Sequence, residues 1–590
     1  MSDTILQIRD LSIAFPHEDG TPKKVVDGIS FSIDRGKTLG LVGESGSGKS
    51  MCALSIMRLI PTPGRVSSGQ ILLNDENVAA KSAREMRLIR GGSVSIVFQD
   101  PLSSLNPVRP IGALLVQSAQ LHQGCSRKEA WNRAAEMLKA VGIPNAPTRM
   151  KSYPHEFSGG QRQRIMIALA AMNAPSLIIA DEPTTALDTT IQMHLLELLK
   201  FVTRNSALLM ITHDLGVASA ICDELVVMRG GRVVESGLVT DILSNPRERY
   251  TKALVDAVPR FTGKNFKIFS APAAAAPRPL LKVRDLEVTY ELAGQSFKAV
   301  ENVSLSVAAN ETLGIVGESG SGKSTIAKAV MQMVPVTGGE ITFDGKAYAE
   351  STKRHTKELK CRMQYIFQDP YSSLDPRWIV KRIIAEPMRV HGLGGRAEIN
   401  DRVAELLNQM ELPASAADRR PAEFSGGQRQ RIGLARALSV RPDILIADEP
   451  VSALDVTIQR KMLELLKRVQ WEYKLALIFI AHDLPLVYQL TDRVAVLYLG
   501  QIVEEGPTKQ VLGAPRHPYT AALKWASEAA LNEEGDGLKI KGEPASPLDP
   551  PAGCPFHPRC PIARPKCSTE IPVLTKSEEG VSVACHFPLI

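Results

Sequence analysis

The chain has 590 residues, of which 44% are apolar and 23% charged, with a net charge of +7. This length predicts roughly three to four domains with their own cores. The composition excludes a disordered or collagen-like chain. The slight basic excess is spread out, so a solvated surface is expected rather than a nucleic-acid or anionic-membrane site.

No uninterrupted apolar run reaches the length of about 18 residues that a spanning helix needs. The first ten residues, Met1 to Asp10, lack the basic start and apolar core of a signal peptide. A cytoplasmic protein is therefore expected, with its eight cysteines reduced unless a metal holds them.

In chain order, Leu6–Phe15 alternates and predicts a strand, followed by a second strand pattern and the short apolar run Thr38–Val42. That run opens into Gly43-Glu44-Ser45-Gly46-Ser47-Gly48-Lys49-Ser50, and the residues beyond read as helix. Strand, Gly-rich loop and helix together form the context of a phosphate loop, whose backbone N–H groups converge on phosphate oxygens. Lys49 would reach the β- and γ-phosphates, and Ser50 would be a Mg²⁺ ligand.

A mostly helical stretch follows, read as including an inserted helical subdomain. It carries Phe98-Gln99-Asp100-Pro101 and Ser158-Gly159-Gly160-Gln161. The run Ser176–Ala180 reads as a buried parallel strand ending on Asp181-Glu182, where functional groups belong. Asp181 suits the outer shell of Mg²⁺, and Glu182 suits the general base that polarises water. His213 follows another apolar strand in Ile-Thr-His-Asp; a γ-phosphate contact is weighed there against a structural histidine.

The whole series then recurs. The second loop is Gly317-Glu318-Ser319-Gly320-Ser321-Gly322-Lys323-Ser324, followed by Thr325 where the first copy has Met51. Phe367-Gln368, Ser425-Gly426-Gly427-Gln428, Asp448-Glu449 and His482 repeat the remaining landmarks. The offset is 274 residues at the loop and 267 at the acidic pair, too long for a solenoid repeat and consistent with two whole domains.

With Ala186-Leu187-Asp188 and Ala453-Leu454-Asp455 added, these motifs resemble the ATPase domain of ABC transporters over nearly all of residues 1–528. The resemblance implies an α/β fold: two P-loop NTPase domains in tandem, each with an inserted helical subdomain. It also implies a head-to-tail arrangement with two ATP molecules at the interface. The first site would use Gly43–Ser50, Gln99, Asp181, Glu182 and His213, completed by Ser425–Gln428. The second would use Gly317–Ser324, Gln368, Asp448, Glu449 and His482, completed by Ser158–Gln161. Mg²⁺ would be held by Ser50, Gln99 and Asp181 in one site and by Ser324, Gln368 and Asp448 in the other. Phe15 and Tyr290 match the aromatic that stacks on adenine, with strand packing as the plainer reading.

Three further features resemble the dipeptide/oligopeptide/nickel importer ATPases. They are Phe-Gln-Asp-Pro-Leu-Ser-Ser-Leu-Asn-Pro (98–107) with its partner at 367–376, Pro515-Arg516-His517-Pro518-Tyr519-Thr520, and the run Gly542–Cys560. The two ATPases appear fused, as in the glutathione-type and Yej-type peptide importers. That resemblance implies two permease subunits and an extracytoplasmic solute-binding protein as partners. It also implies a peripheral place on the cytoplasmic face of the bacterial inner membrane. The first copy departs from the pattern at Pro246-Arg247-Glu248-Arg249-Tyr250-Thr251.

The expected boundaries are 1–262 and 280–528 for the two domains, 263–279 for an Ala/Pro-rich linker, and 529–590 for a C-terminal extension. That extension holds Cys554, Cys560, Cys567 and Cys585, spaced by 5, 6 and 17 residues. Four cysteines fit a [4Fe–4S] cluster or a zinc site, but the spacing lacks the C-x₂-C of zinc ribbons. The family resemblance implies the cluster. A twin-ATPase protein acting on ribosomes is the alternative function; it would carry a long charged arm between its domains, and this linker is short and weakly charged.

Overall fold

The computed structural model describes residues 3–16, 21–100, 104–184, 187–261, 278–292, 294–348, 353–369, 371–452, 454–529, 537–540, 542, 544–578 and 580–589. Most of the linker, Pro101, Pro370, Ala186 and Ala453 lie outside them.

Each half is built the same way. In the first, Thr4–Pro16 pairs antiparallel with Pro22–Asp34 on one side and Arg65–Leu73 on the other. The central sheet has six strands in the order Arg232–Leu238, Glu224–Arg229, Thr38–Val42, Ala207–Thr212, Leu177–Asp181 and Val94–Val97. All run parallel except Arg232–Leu238. The runs Thr38–Val42, Leu177–Asp181 and Ala207–Thr212 are almost wholly buried, as unbroken apolar strands in a covered parallel sheet should be. The second half repeats this around Thr312–Val316, flanked by Ala476–Ile480 and Arg493–Tyr498.

Helices Ile111–Gln123, Arg127–Ala140 and Gly159–Ala171 form the inserted subdomain of the first half. Val380–His391, Arg396–Gln409 and Gly426–Leu438 form that of the second.

The C-terminal extension is part of the second half rather than a separate appendage. Cys554, Phe556, Cys567 and Val581 are buried in the same core as Tyr498 and Tyr519. Ser582–Val583 adds to the edge strand Gln501–Pro507 through Glu504 and Glu505, and Thr575–Lys576 adds to Ser582–Val583, making an eight-stranded sheet.

Candidate functional site: two phosphate loops facing a neighbouring half

Parallel pairing brings three strand ends together. Val42 leads into the first loop, Asp181 ends its own strand opposite Ile211, and Thr212 precedes His213. The loop itself depends on glycine. At Gly43 (φ 149°) a Cβ would lie 2.2 Å from the Met228 carbonyl oxygen, and at Gly317 (φ 152°) it would lie 2.3 Å from that of Leu497.

Lys49 is held inside the loop, donating to the carbonyls of Gly43 (2.7 Å) and Glu44 (2.9 Å); Lys323 does the same to Gly317 and Glu318. Burial lowers the pKa of both lysines. Ser50 Oγ donates to Asp181 Oδ1 at 3.1 Å, and Ser324 Oγ donates to Asp448 Oδ1 at 3.0 Å. Hydroxyl and carboxylate are thus paired at each site as an oxygen-ligated Mg²⁺ requires, so these residues fit the ion.

Glu182 and Glu449 are each approached by a Gln and a His of their own half. Gln99 Nε2 donates to Glu182 Oε2 at 2.7 Å, and His213 Nδ1 lies 3.0 Å from Glu182 Oε1. Gln368 Nε2 donates to Glu449 Oε2 at 2.7 Å, with His482 Nδ1 at 3.5 Å. Both glutamates adopt left-handed backbone, φ 47° and 46°, where non-glycine residues are uncommon. Burial opposes protonation of His213 and His482, yet the hydrogen bond and charge of the adjacent glutamate outweigh it and raise both imidazole pKa values.

The two sites differ at the carboxylates paired with Ser50 and Ser324. Burial pushes Asp181 up to about 6 against the bond from Ser50. Asp448 accepts an additional hydrogen bond from Tyr365 OH at 2.5 Å, where the corresponding residue of the first half is Ile96.

The halves meet through residues for which the motifs alone defined no role. Asp455 accepts from Ser45 N (2.9 Å) and Oγ (3.1 Å), and Asp188 accepts from Ser319 N (2.8 Å) and Oγ (3.2 Å). Thr457 Oγ1 donates to Glu44 Oε1 at 2.6 Å, and Thr190 Oγ1 donates to Glu318 Oε1. The signal available in sequence was the repetition of Ala-Leu-Asp itself.

Ser158 and Ser425, which open the Ser-Gly-Gly-Gln segments, cap their own helices, accepting from Gln161 N (3.2 Å) and Gln428 N (3.4 Å). The cavity at the first loop includes Ser45, Gly46, Lys49, Gln99, Glu182 and Asp455; that at the second includes Tyr290, Ser319, Lys323, Thr325, Gln368 and Glu449. Tyr290 is thus at its site, whereas Phe15 is not among the residues lining the first cavity. Phe15 packs on Gly64, where a Cβ would lie 2.4 Å from the ring.

The departure at 246–251 proves conservative in space. Glu235 accepts from Arg247 N and Glu248 N, as Glu504 does from Arg516 N and His517 N. Each turn then aims a tyrosine at a phosphate loop: Tyr250 OH accepts from Glu44 N (3.1 Å) and Tyr519 OH from Glu318 N (2.9 Å).

These features are matched by the comparisons. The profile of the ABC transporter family matches residues 26–185 and 300–452. The chain belongs to the ABC transporter family. It is an ATP-hydrolysing member, with Mg²⁺ and ATP as its cofactors. The oligopeptide/dipeptide transporter C-terminal region matches twice, at 234–278 and 503–567, so both Tyr-bearing turns are covered. The glutathione import ATP-binding protein GsiA of Escherichia coli O157:H7 is 44% identical over 553 residues, 88% of this chain and 89% of that protein. Its counterpart in Salmonella typhimurium strain LT2 is 43% identical over 563 residues, 90% of each chain. A dimeric ATP-binding cassette solved in a post-hydrolysis state with ADP and Pi is 28% identical over 39% of this chain and 98% of its own, with a TM-score of 0.36.

The expected iron–sulfur or zinc ligation is not carried by the structure. Among the described residues no group of three or more His, Cys, Asp or Glu could hold a metal ion. Burial raises the pKa of the Cys554 and Cys560 thiols and pushes Cys585 up to about 11. No described helix is long and apolar enough to cross a membrane.

Proposed function

We propose that this chain is the motor subunit of a binding-protein-dependent importer for small peptides, with glutathione the first substrate to try. The observation that carries the reading is reciprocal: Asp455 on Ser45 and Asp188 on Ser319 tie each phosphate loop to the other half. Nucleotide bound at each loop lies at that junction, so gain and loss of its γ-phosphate bear on how the halves close. The GsiA relatives, named for glutathione import, support the substrate class.

At each site Lys49 or Lys323 binds phosphate, and Glu182 or Glu449 takes a proton from the attacking water. Gln99 or Gln368, with His213 or His482, fixes that glutamate's orientation. Ser50 and Asp181, or Ser324 and Asp448, would hold Mg²⁺, which would supply positive charge to the phosphates. Ser425–Gln428 and Ser158–Gln161 complete the sites once the halves close further over nucleotide.

Two integral-membrane permeases and a solute-binding protein are the proposed partners, which places the chain peripherally on the inner membrane. The four tail cysteines are proposed to hold a [4Fe–4S] cluster, with zinc as the alternative. Supporting this, Cys554 N donates to the Cys567 carbonyl at 2.8 Å, and Cys560 packs on the same core as both. Iron, sulfide and zinc assays on anaerobically purified protein decide it; metal-free, fully active protein would remove the ligand role.

The test of the transport reading is a mild-detergent pull-down of the tagged chain from native membranes, followed by mass spectrometry. Two multi-span permeases are expected to copurify. Ribosomal proteins without a permease would overturn the importer assignment in favour of the ribosomal alternative.

A further inference from the structure

The tail approaches the second ATP site at two places. Pro547 lines the cavity beside Gly500 and Leu499. Farther on, Arg559 forms a two-pronged ion pair with Glu318, the second residue of the phosphate loop: Nη1 lies 2.6 Å from Oε2 and Nη2 lies 3.0 Å from Oε1. The side chains are 5% and 2% exposed. The same Glu318 accepts from Thr190 of the first half and presents its N–H to Tyr519.

Arg559 is itself rigidly placed. Its N–H bonds to the Phe556 carbonyl at 3.0 Å within the turn from Cys554 to Cys560, and Phe556 packs edge-on to Tyr498 at 5.2 Å. Among the described residues the first half has no such visitor. There Arg229, at the position of Tyr498, lies over the Tyr250 ring at 4.9 Å, and no ion pair joins it to Glu44 among the described residues.

We propose that Arg559 is a positioning residue of the second ATP site, orienting Glu318 so that the loop and its contact with the first half form together. One loop is thereby preset by the tail and the other is not, which makes the two sites unequal in ATP affinity. A planar guanidinium matches both carboxylate oxygens at once, whereas a lysine would reach them only as a point charge. Removing one partner of a buried pair leaves the other charge uncompensated, so the effect on the loop should be large.

The inference rests on the assignment of both loops as ATP sites. It is tested on the full chain in complex with its permeases, with a protease site inserted between residues 263 and 277. Photolabelling with 8-azido-ATP at subsaturating concentration, followed by cleavage, reads each half separately. Arg559→Gln should lower labelling of the second half about tenfold while the first half changes less than about twofold. Arg559→Lys should restore at least part of the second-half label.

The double variant Arg559→Met with Glu318→Gln removes both buried charges and should keep the native thermal midpoint. Its second half should still label several-fold less than the native second half. Native-level labelling of the second half in that double variant, or equal loss from both halves in Arg559→Gln, would overturn the proposal while leaving the site assignment standing. Failure of either native half to label would instead overturn the site assignment and this inference with it.

Discussion

Asp455 accepts both the backbone N–H and the hydroxyl of Ser45, at 2.9 and 3.1 Å, although the two residues lie 410 positions apart. The carboxylate is 6% exposed as a residue, so this contact is made in a shielded interface rather than across open solvent. Each phosphate loop is therefore shaped partly by the half that does not contain it.

If that contact couples the halves, Asp455→Ala should slow steady-state ATP hydrolysis by the permease-bound complex about tenfold, the scale of a lost hydrogen bond to a charged group. Asp188→Ala should act similarly through Ser319. Rates within twofold of native in both variants would show the aspartates to be packing only.

Glu182→Gln and Glu449→Gln keep the size and the neighbours of each glutamate but remove the base. Each should bind ATP while lowering turnover at its own site by roughly 10²–10⁴-fold. Single-turnover measurements separate binding from chemistry. Full turnover at the second site of Glu449→Gln would remove Glu449 from the role.

Tyr365→Phe removes the 2.5 Å hydrogen bond to Asp448 that the first half lacks. In a Glu182→Gln background, where the second site carries the turnover, the Mg²⁺ concentration for half-maximal rate should rise roughly tenfold. An unchanged Mg²⁺ dependence would mean that the hydroxyl is only filling space.

His517 is buried beneath Phe556 and accepts from Tyr519 N at 3.0 Å, and burial lowers its pKa to about 3. Unfolding restores an ordinary value near 6.5, so between about 6.5 and 3 the unfolded chain binds the extra proton. This contribution is intact above about pH 6.5 and declines as the pH falls, by about 2 kcal/mol at pH 5. Thermal unfolding of the second half should show that decline, and His517→Gln should flatten it. A midpoint as acid-sensitive in His517→Gln as in the native chain would assign the effect elsewhere.

Much of this architecture was legible in the residues. Unbroken apolar runs ending in Asp-Glu or Thr-His marked parallel strands and their functional ends, and repetition turned weak motifs into strong ones. What stayed hidden depends on facing surfaces. Nothing local to Asp188 or Asp455 says which loop it will meet, because that follows from how two folded halves oppose each other. Arg559 occurs once and meets Glu318 from 241 positions away, so neither repetition nor spacing singles it out. The role of Phe15 is not legible locally, because an aromatic in a strand can stack on a base or on its own neighbours, of which Gly64 is one. The turn at 246–251 looked degenerate because its His and Pro are replaced, yet the cradle is made by backbone N–H groups and needs only Tyr250.

The strand Ser582–Val583, which pairs with Glu504 and Glu505, is made roughly 75 residues after the edge strand Gln501–Pro507 ends. At about 5–20 residues per second, that edge waits roughly 4 to 15 seconds on the ribosome before its cover is synthesised. Through that interval it is an open template for pairing with another nascent chain. The strand Ser582–Val583 is thus also a late-arriving protection against aggregation, and a chain cut short before Ser582 leaves the sheet unsealed.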